Sequence, residues 1–213
     1  MNIRNYQKEL DALIARNTAA GIRPTLMLHV CCAVCASYVL EYLHEYFRIT
    51  VAYYNPNITD DEEYRYRYSE LRRYVAEAGL NDEIRFVEVE YDPERFFTLA
   101  KGREEEREGG SRCELCFYER LFYTARLAAA GGYDLFATTL TISPLKNAAV
   151  INAVGERVAA ETGAVYLPTD FKKKEGYKRS IELSRQYSLY RQNYCGCIYS
   201  QREAAARTAE KTS

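Results

Sequence analysis

The chain lacks a charge excess of either sign, a long apolar run, tryptophan and any glycine-rich nucleotide loop. Its 29 lysines and arginines against 30 aspartates and glutamates leave a formal charge of −1. That balance argues against a generally basic nucleic-acid binder and leaves only a local patch as a candidate. No apolar stretch approaches the ~18 residues that would mark a membrane span. The opening residues, Met1 to Leu10, are too polar for a secretory core, so the expectation is a cytoplasmic protein without membrane attachment. Neither a P-loop nor a G-x-G-x-x-G run occurs, so a nucleotide cofactor has no motif to support it. Internal repeats and low-complexity linkers are also missing. Tyrosine reaches 20 while tryptophan is absent. Most of these rings are expected as amphipathic filler with the hydroxyl toward water. With 213 residues, 47% apolar and 28% charged, the chain can bury a proper core.

What is present is sulfur. Seven cysteines fall into three groups: Cys31, Cys32 and Cys35; Cys113 and Cys116; Cys195 and Cys197. The density is too low for a disulfide scaffold, and clustered thiols in a reducing compartment are metal ligands or redox groups more often than bridges. The apolar run Thr25 to Val30 reads as a buried strand, and the segment after Cys35 reads as a helix. A strand that delivers thiols to a helix start places them where backbone N–H groups favour negative charge. On a helix, residues three apart share a face, so Cys32 with Cys35 and Cys113 with Cys116 can each present two sulfurs to one target. Four thiolates suit a four-iron, four-sulfur cluster or a zinc ion. Seven exceed either, which points to two metal centres or to a cluster plus a redox pair. A zinc staple with surplus core cysteines and a thioredoxin-like dithiol at Cys32-Ala-Val-Cys35 are the competing readings. A radical-SAM loop is disfavoured, because Tyr38 stands where its third cysteine would be.

Hydrophobic periodicity and turn signals lay out the rest. Residues 2 to 20 read as an amphipathic helix. Further strands are expected at Arg48–Tyr54, Ile84–Tyr91, Tyr133–Leu140 and Ala164–Leu167. Helices are expected from about Cys35 to Tyr46, behind Thr59, around Pro93 to Ala100, from Ser111 to near Gly131, from Ser143 to Gly163, and from Tyr177 onward with a break at Cys195-Gly-Cys197 and a fraying polar tail. Thr59 with Glu62 and Ser111 with Glu114 have capping-box spacing, and Ser143-Pro144 suits a helix start. Lys101 to Gly110 reads as solvated surface. Five alternations of strand and helix give a mostly parallel sheet covered on both faces. Ligands in such sheets sit beyond the carboxyl ends of the strands. His29, on the buried strand, is expected as a hydrogen-bonded core residue, and His44 needs no special role.

Eight segments carry a resemblance, the first five being His29-Val-Cys-Cys-Ala-Val-Cys35, Tyr54-Asn-Pro-Asn57, Arg112-Cys-Glu-Leu-Cys116, Thr138 to Lys146 and Asp170 to Tyr177. Arg179-Ser180, Glu182-Leu-Ser184 and Tyr190-Arg-Gln-Asn-Tyr-Cys-Gly-Cys197 follow in order. Together, over roughly residues 25 to 200, they resemble the cobalamin-independent epoxyqueuosine reductase family (QueH). Val34 stands where that pattern would have proline, a change in loop stiffness that leaves the thiols untouched. The expected fold is a single α/β, Rossmann-like (HUP-type) three-layer domain over 1–213 with a five-stranded, mostly parallel sheet and a helical C-terminal extension. Within it, 1–23 is an N-terminal helix, 24–200 a metal-binding reductase core and 201–213 a polar tail.

The resemblance implies reduction of the epoxide of epoxyqueuosine in a tRNA anticodon, a [4Fe–4S] cluster and a second, mononuclear iron, without cobalamin or bound flavin or NAD. Proximity and helix starts assign Cys31, Cys32, Cys113 and Cys116 to the cluster, and Cys35, Cys195 and Cys197 to the second iron, with exchange between the sets left open. An open-coordinate iron can act as a Lewis acid on the epoxide oxygen while a cluster relays electrons singly. The electrons must come from an external donor of the ferredoxin or flavodoxin type. Tyr54, Asp170, Tyr177 and Tyr190 are the candidate proton donors. Lys172, Lys173, Lys174, Lys178, Arg179, Arg185 and Arg191 outnumber Glu175 and Glu182 and form the candidate RNA patch. Tyr177, Tyr187, Tyr190 and Tyr194 are candidates for stacking on an unpaired base. A zinc-stabilised RNA-binding protein and a dithiol oxidoreductase remain the alternatives.

Overall fold

The computed structural model describes residues 4–212, with side chains through Glu210. Residues 2 and 3 of the expected leading helix, and the last residues of the expected tail, lie outside the residues described. The first helix, α1, is Tyr6–Ala19, started by the Asn5 side chain accepting from the Lys8 N–H. Thr25–His29 forms β1, and Ala33–Leu43 forms α2. Arg48–Ala52 is β2, Asp61–Glu77 is α3, and Ile84–Val87 is β3. Pro93–Ala100 is α4 and Ser111–Ala130 is α5. Leu135–Thr138 is β4, followed by a 3₁₀ turn at Thr139–Ile142 and then by α6 at Ala148–Thr162. Gly176–Gln186 is α7 and Ile198–Thr212 is α8.

The strands form one parallel sheet in the order β3-β2-β1-β4. β1 is central, with His29 opposite Ala52 on one side and Thr138 on the other. Its alternate residues divide between two layers. Leu26 and Leu28 join the core under α2 and α3, whereas Met27 packs with Phe117, Leu121 and Ile151 from α5 and α6. Each such leucine, removed from water, contributes about 1.5–3 kcal/mol before entropy is counted. The chain runs outward from β1 through β2 to β3, then crosses back to place β4 on the opposite edge of β1. The crevice between the ends of β1 and β4 is therefore the switch point where such sheets bind ligands.

Several details differ from the expectations. The sheet has four strands. Ala164–Leu167 makes a single bridge, Tyr166 to Phe136, held by two backbone hydrogen bonds of 2.9 and 2.8 Å. Gly163 in the left-handed region closes α6 just before it, and Pro168 just after it has no N–H to extend a ladder. β3 stops at Val87 because its neighbour β2 ends at the paired Ala52. All three expected caps move. Asp60 caps α3 through the Glu63 N–H at 2.8 Å, and Asn147 caps α6 through the Ala149 N–H at 2.9 Å. Ser143-Pro144 forms a turn instead. At α5, Gly110 is the N-cap, and Glu106 reaches from the preceding loop to accept from the Arg112 N–H at 2.7 Å and the Ser111 hydroxyl at 2.6 Å. A carboxylate at that end also meets the positive pole of the helix. The C-terminal segment continues as helix α8 through Thr212 in place of a fraying tail, with Ala204 buried against the body. Among the described residues, no helix is long and apolar enough to cross a membrane.

Candidate metal centre

The three thiol groups stand at the N-termini of three helices. Cys32 is the N-cap of α2 and Cys35 lies in its first turn. Cys113 and Cys116 occupy the first two turns of α5. Cys197 caps α8, its sulfur accepting from the Ser200 N–H at 3.4 Å. Helix starts leave backbone N–H groups unpaired and carry partial positive charge, which favours thiolate over thiol. β1 and β4 end side by side, so Cys31 Sγ and Thr139 Oγ1 sit 3.7 Å apart. Gly196 lets the Cys195–Cys197 segment fold back over this edge: its φ is +130°, and its carbonyl accepts from the Thr59 N–H at 3.3 Å.

All seven cysteines are free thiols. The sulfurs of Cys31, Cys32 and Cys35 lie within 4.8 Å of one another. They face a cavity of about 330 Å³, also lined by Lys146, Arg120, Arg67, Tyr177, Arg191 and Tyr194. Cys113, Cys116, Cys195 and Cys197 line a second cavity of about 130 Å³, with Arg112, Phe96 and Asn57. Cys195, Lys146, Leu145 and Glu108 line both, so the cavities adjoin. The structure thus brings all seven onto two adjoining cavities, with Cys31, Cys32 and Cys35 on one, Cys113, Cys116 and Cys197 on the other and Cys195 on both. The division by helix start would cross between the cavities.

The electrostatics fit a set of thiolates. Within the trio, contact with the Cys32 and Cys35 thiols pulls Cys31 well below the ordinary thiol value. The same contact, with burial, pushes Cys32 up to about 12 and raises Cys35. Burial pushes Cys116 up to about 12 and raises Cys113 and Cys197. Without a cation to bind, most of these sulfurs hold their protons. A metal ion is the ligand that reverses this, because coordination displaces the thiol proton. Positive charge surrounds the set. Arg120 is 1% exposed, and its guanidinium reaches His29 Nε2 at 3.2 Å, Asn55 Oδ1 at 2.6 Å and Cys116 Sγ at 3.8 Å. Arg67 donates to the Cys195 carbonyl at 3.1 Å. The Arg112 Nε and Nη2 atoms are buried without a hydrogen-bond partner beside the smaller cavity. Burial works against the charge on Lys146, yet the surrounding sulfurs of Cys195, Cys31 and Cys35, together with Glu108, raise its pKa overall. The soft donor set and this collar of cations suit an electron-rich iron–thiolate group.

His29 is fully buried, as expected of a core residue. Its Nε2 lies 3.2 Å from both the Arg120 Nε–H and the Tyr54 carbonyl, and its Nδ1 lies 2.9 Å from Thr138 Oγ1. Burial, then Arg120, pushes its pKa down to about 3, so the ring is neutral. Of the proton-donor candidates, Tyr177 lines the larger cavity. Tyr54, Asp170 and Tyr190 line neither. Tyr54 donates to Glu119 at 3.3 Å under a stacked Tyr123, Asp170 pairs with Lys172 at 3.1 Å, and Tyr190 donates to Glu63 at 3.2 Å. Much of the candidate RNA patch is also neutralised locally. Lys172, Lys174, Lys178 and Arg179 pair with Asp170, Asp11, Glu175 and Glu41 at 3.1, 2.7, 3.2 and 2.6 Å. Lys173, Arg185 and Arg191 have no carboxylate partner among the described residues, and Arg191 lies on the rim of the larger cavity.

Sequence reasoning did not single out Lys146, Glu108, Arg120 or Arg67. Arg120 follows Cys116 by four residues, one helical turn, and that spacing was its signal. Glu108 sits in the charged loop expected to be plain surface. Lys146 ends one of the segments that carried the resemblance, and only the fold shows that it reaches both cavities.

Comparison with known proteins identifies the family. The family model described as epoxyqueuosine reductase QueH matches residues 26–203. Curated relatives named epoxyqueuosine reductase QueH include those of Streptococcus pyogenes serotype M1, 42% identical across 92% of this chain and 78% of the relative, and Staphylococcus epidermidis, 43% identical across 92% and 84%. That of Thermotoga maritima is 33% identical across 87% of this chain and 95% of its own. The matched span begins in β1 and ends in α8, so it takes in every element that carries a thiol. The chain belongs to the epoxyqueuosine reductase QueH family.

Proposed function

We propose that this protein reduces the epoxide of epoxyqueuosine in the anticodon of a tRNA to the alkene of queuosine. The observation that carries the reading is the convergence of seven free thiols, from three distant segments, on two adjoining cavities at the switch point of the sheet. The overall change consumes two electrons and two protons and releases the epoxide oxygen as water, with the electrons supplied by an external donor protein. The grouping of the sulfurs supports Cys113, Cys116, Cys195 and Cys197 as holders of a [4Fe–4S] cluster and Cys31, Cys32 and Cys35 as holders of a single iron. Such groups, when bound, supply one-electron transfer and Lewis acidity toward oxygen.

The chain's own residues do the rest. Lys146 holds its proton at Nζ and lines both cavities, so its charge is available to negative charge developing on oxygen between them. Tyr177 and Tyr194 offer rings, and Arg191 a cation, at the mouth of the larger cavity, where an everted base and its phosphate would meet them. Phe96 and Phe117, both buried, give the smaller cavity apolar walls beside the sulfurs.

Anaerobic purification followed by metal analysis and absorption spectroscopy tests the reading. Brown protein with about five irons per chain, able to convert epoxyqueuosine-containing tRNA with a chemical reductant, is the expected result. Colourless, zinc-loaded protein that binds tRNA without turnover would refute it. Cys116→Ser should remove the chromophore, whereas Cys35→Ser should remove about one iron and leave most of it. Cys195→Ser and Cys197→Ser should both abolish turnover.

A further inference from the structure

Arg120 is a fixed cation buried among sulfurs. It is 1% exposed, and no carboxylate lies within ion-pair distance of it among the described residues. Two of its contacts are to neutral groups, His29 Nε2 at 3.2 Å and Asn55 Oδ1 at 2.6 Å, and the third is to Cys116 Sγ at 3.8 Å. His29 and Asn55 are themselves held. Thr138 meets His29 Nδ1 at 2.9 Å, and the Asn55 amide donates to the Val30 carbonyl at 2.8 Å. The guanidinium is therefore fixed by the ends of β1 and β4 and cannot swing out to water. A buried charge without a counter-ion is costly, so a negative group must face it. Among the described residues, the only candidates beside it are the thiolates, since Arg120 lines the trio's cavity and touches a sulfur of the quartet.

We infer that Arg120 is a positioning residue that sets the reduction potential of the thiolate-bound iron centre through its charge and its bond to Cys116 Sγ. The inference rests on the iron–sulfur reading proposed above. One-electron reduction by the external donor protein adds one negative charge to the centre and moves no bond or proton. A fixed positive charge beside it favours the more negative state, so Arg120 holds the potential up. Charge and hydrogen bonds at the sulfurs are established levers on such potentials.

Redox titration of the anaerobically prepared holoenzyme, followed by electron paramagnetic resonance, tests this. The expected order of midpoint potentials is wild type, then Arg120→Lys, then Arg120→Gln, from least to most negative, at equal iron content. Lysine keeps the charge but falls short of Cys116, and glutamine loses the charge. Arg120→Gln that folds but takes up no iron, while Arg120→Lys loads, also supports the inference, since the thiolates then lack compensation. Equal potentials in loaded wild type and Arg120→Gln overturn it. Where Arg120→Gln does not fold, wild type against Arg120→Lys decides by the same criterion. A wild-type protein with no iron–sulfur signal refutes the functional reading itself, and a signal with unmoved potentials refutes Arg120 alone.

Discussion

Replacing Gly196 by alanine strikes the site through the backbone alone, since glycine carries no ligand atom. Its φ of +130° lies where residues with a Cβ rarely go. A Cβ built there would sit 2.8 Å from Ile58 Cγ1 and 3.4 Å from Arg67 Nη1 and Asn57 Nδ2. Ile58 is 1% exposed and packed in the core, so it cannot step aside freely. Backbone strain of this kind costs about 1–3 kcal/mol, and the contact adds to it. If the loop keeps its place, the protein bears that cost, and with a urea dependence of about 2–3 kcal/mol/M the unfolding midpoint falls by roughly 0.3–1.5 M. If the loop moves instead, Cys195 and Cys197 leave the cavity they line, and iron content falls at nearly unchanged stability. Gly196→Ala should therefore show one loss or the other. Adding Ile58→Val should recover part of it by removing the nearest atom, while the strain at φ stays. Urea unfolding with iron analysis on both variants is the measurement. A Gly196→Ala protein with wild-type midpoint and full iron would refute the argument that this turn needs glycine.

Glu70 ties α3 to the segment leading into the last two cysteines, accepting from Arg73 at 2.8 Å and from the Tyr190 N–H at 3.0 Å. The Arg73 hydrogen bond, against burial, lowers its pKa below the ordinary 4.5. A carboxylate depressed in the folded state adds stability above its unfolded value and loses it as pH falls through the folded one. The gap in unfolding free energy between wild type and Glu70→Gln should be constant near neutrality and shrink below about pH 4.5; a gap independent of pH down to 3 would contradict the assignment. For RNA, Lys173→Ala and Arg191→Ala should each reduce the salt slope of tRNA binding by about 1, while Lys178→Ala, already paired with Glu175 at 3.2 Å, should change it less. Titrations at several salt concentrations read this directly, and equal effects of all three would show that the ion pairs do not matter.

Much of the fold was legible because β1 is buried on both faces. Leu26, Met27 and Leu28 form a run that neither an amphipathic helix nor an edge strand would carry, and the helical period returns after Cys35. The misread features are those decided by neighbours. Capping-box spacing at Ser111 and Glu114 is a local signal, but Glu106 takes the N–H at the start of α5 from outside the window. The fifth strand had the right residue types, but Gly163 in the left-handed region before it and Pro168 without an N–H after it hold it to the single bridge from Tyr166 to Phe136. Lys172, Lys174 and Arg179 read as free charge because Asp170, Asp11 and Glu41 meet them only in the fold.

The site shows the same division more sharply. Each thiol group announced itself, since clustered cysteines, two of the groups holding a pair spaced for one helix face, need no tertiary knowledge to notice. Their partition needed the topology. Cys31 follows the strand that neighbours β4, whereas Cys113 lies in the first turn of α5, more than 80 residues later, and the two pack against one apolar layer. A helix start brings sulfur and unpaired N–H groups together, and three of them aimed at one edge concentrate negative charge where the protein has also buried Arg120. Once a bound metal displaces the thiol protons each arrangement supports the other: thiolates crowded together repel, and a buried guanidinium needs a counter-ion. The cations, scattered at positions 67, 112, 120 and 146, are therefore as much part of the centre as the cysteines. They escape a motif search because charge compensation imposes a distance in space and no spacing along the chain.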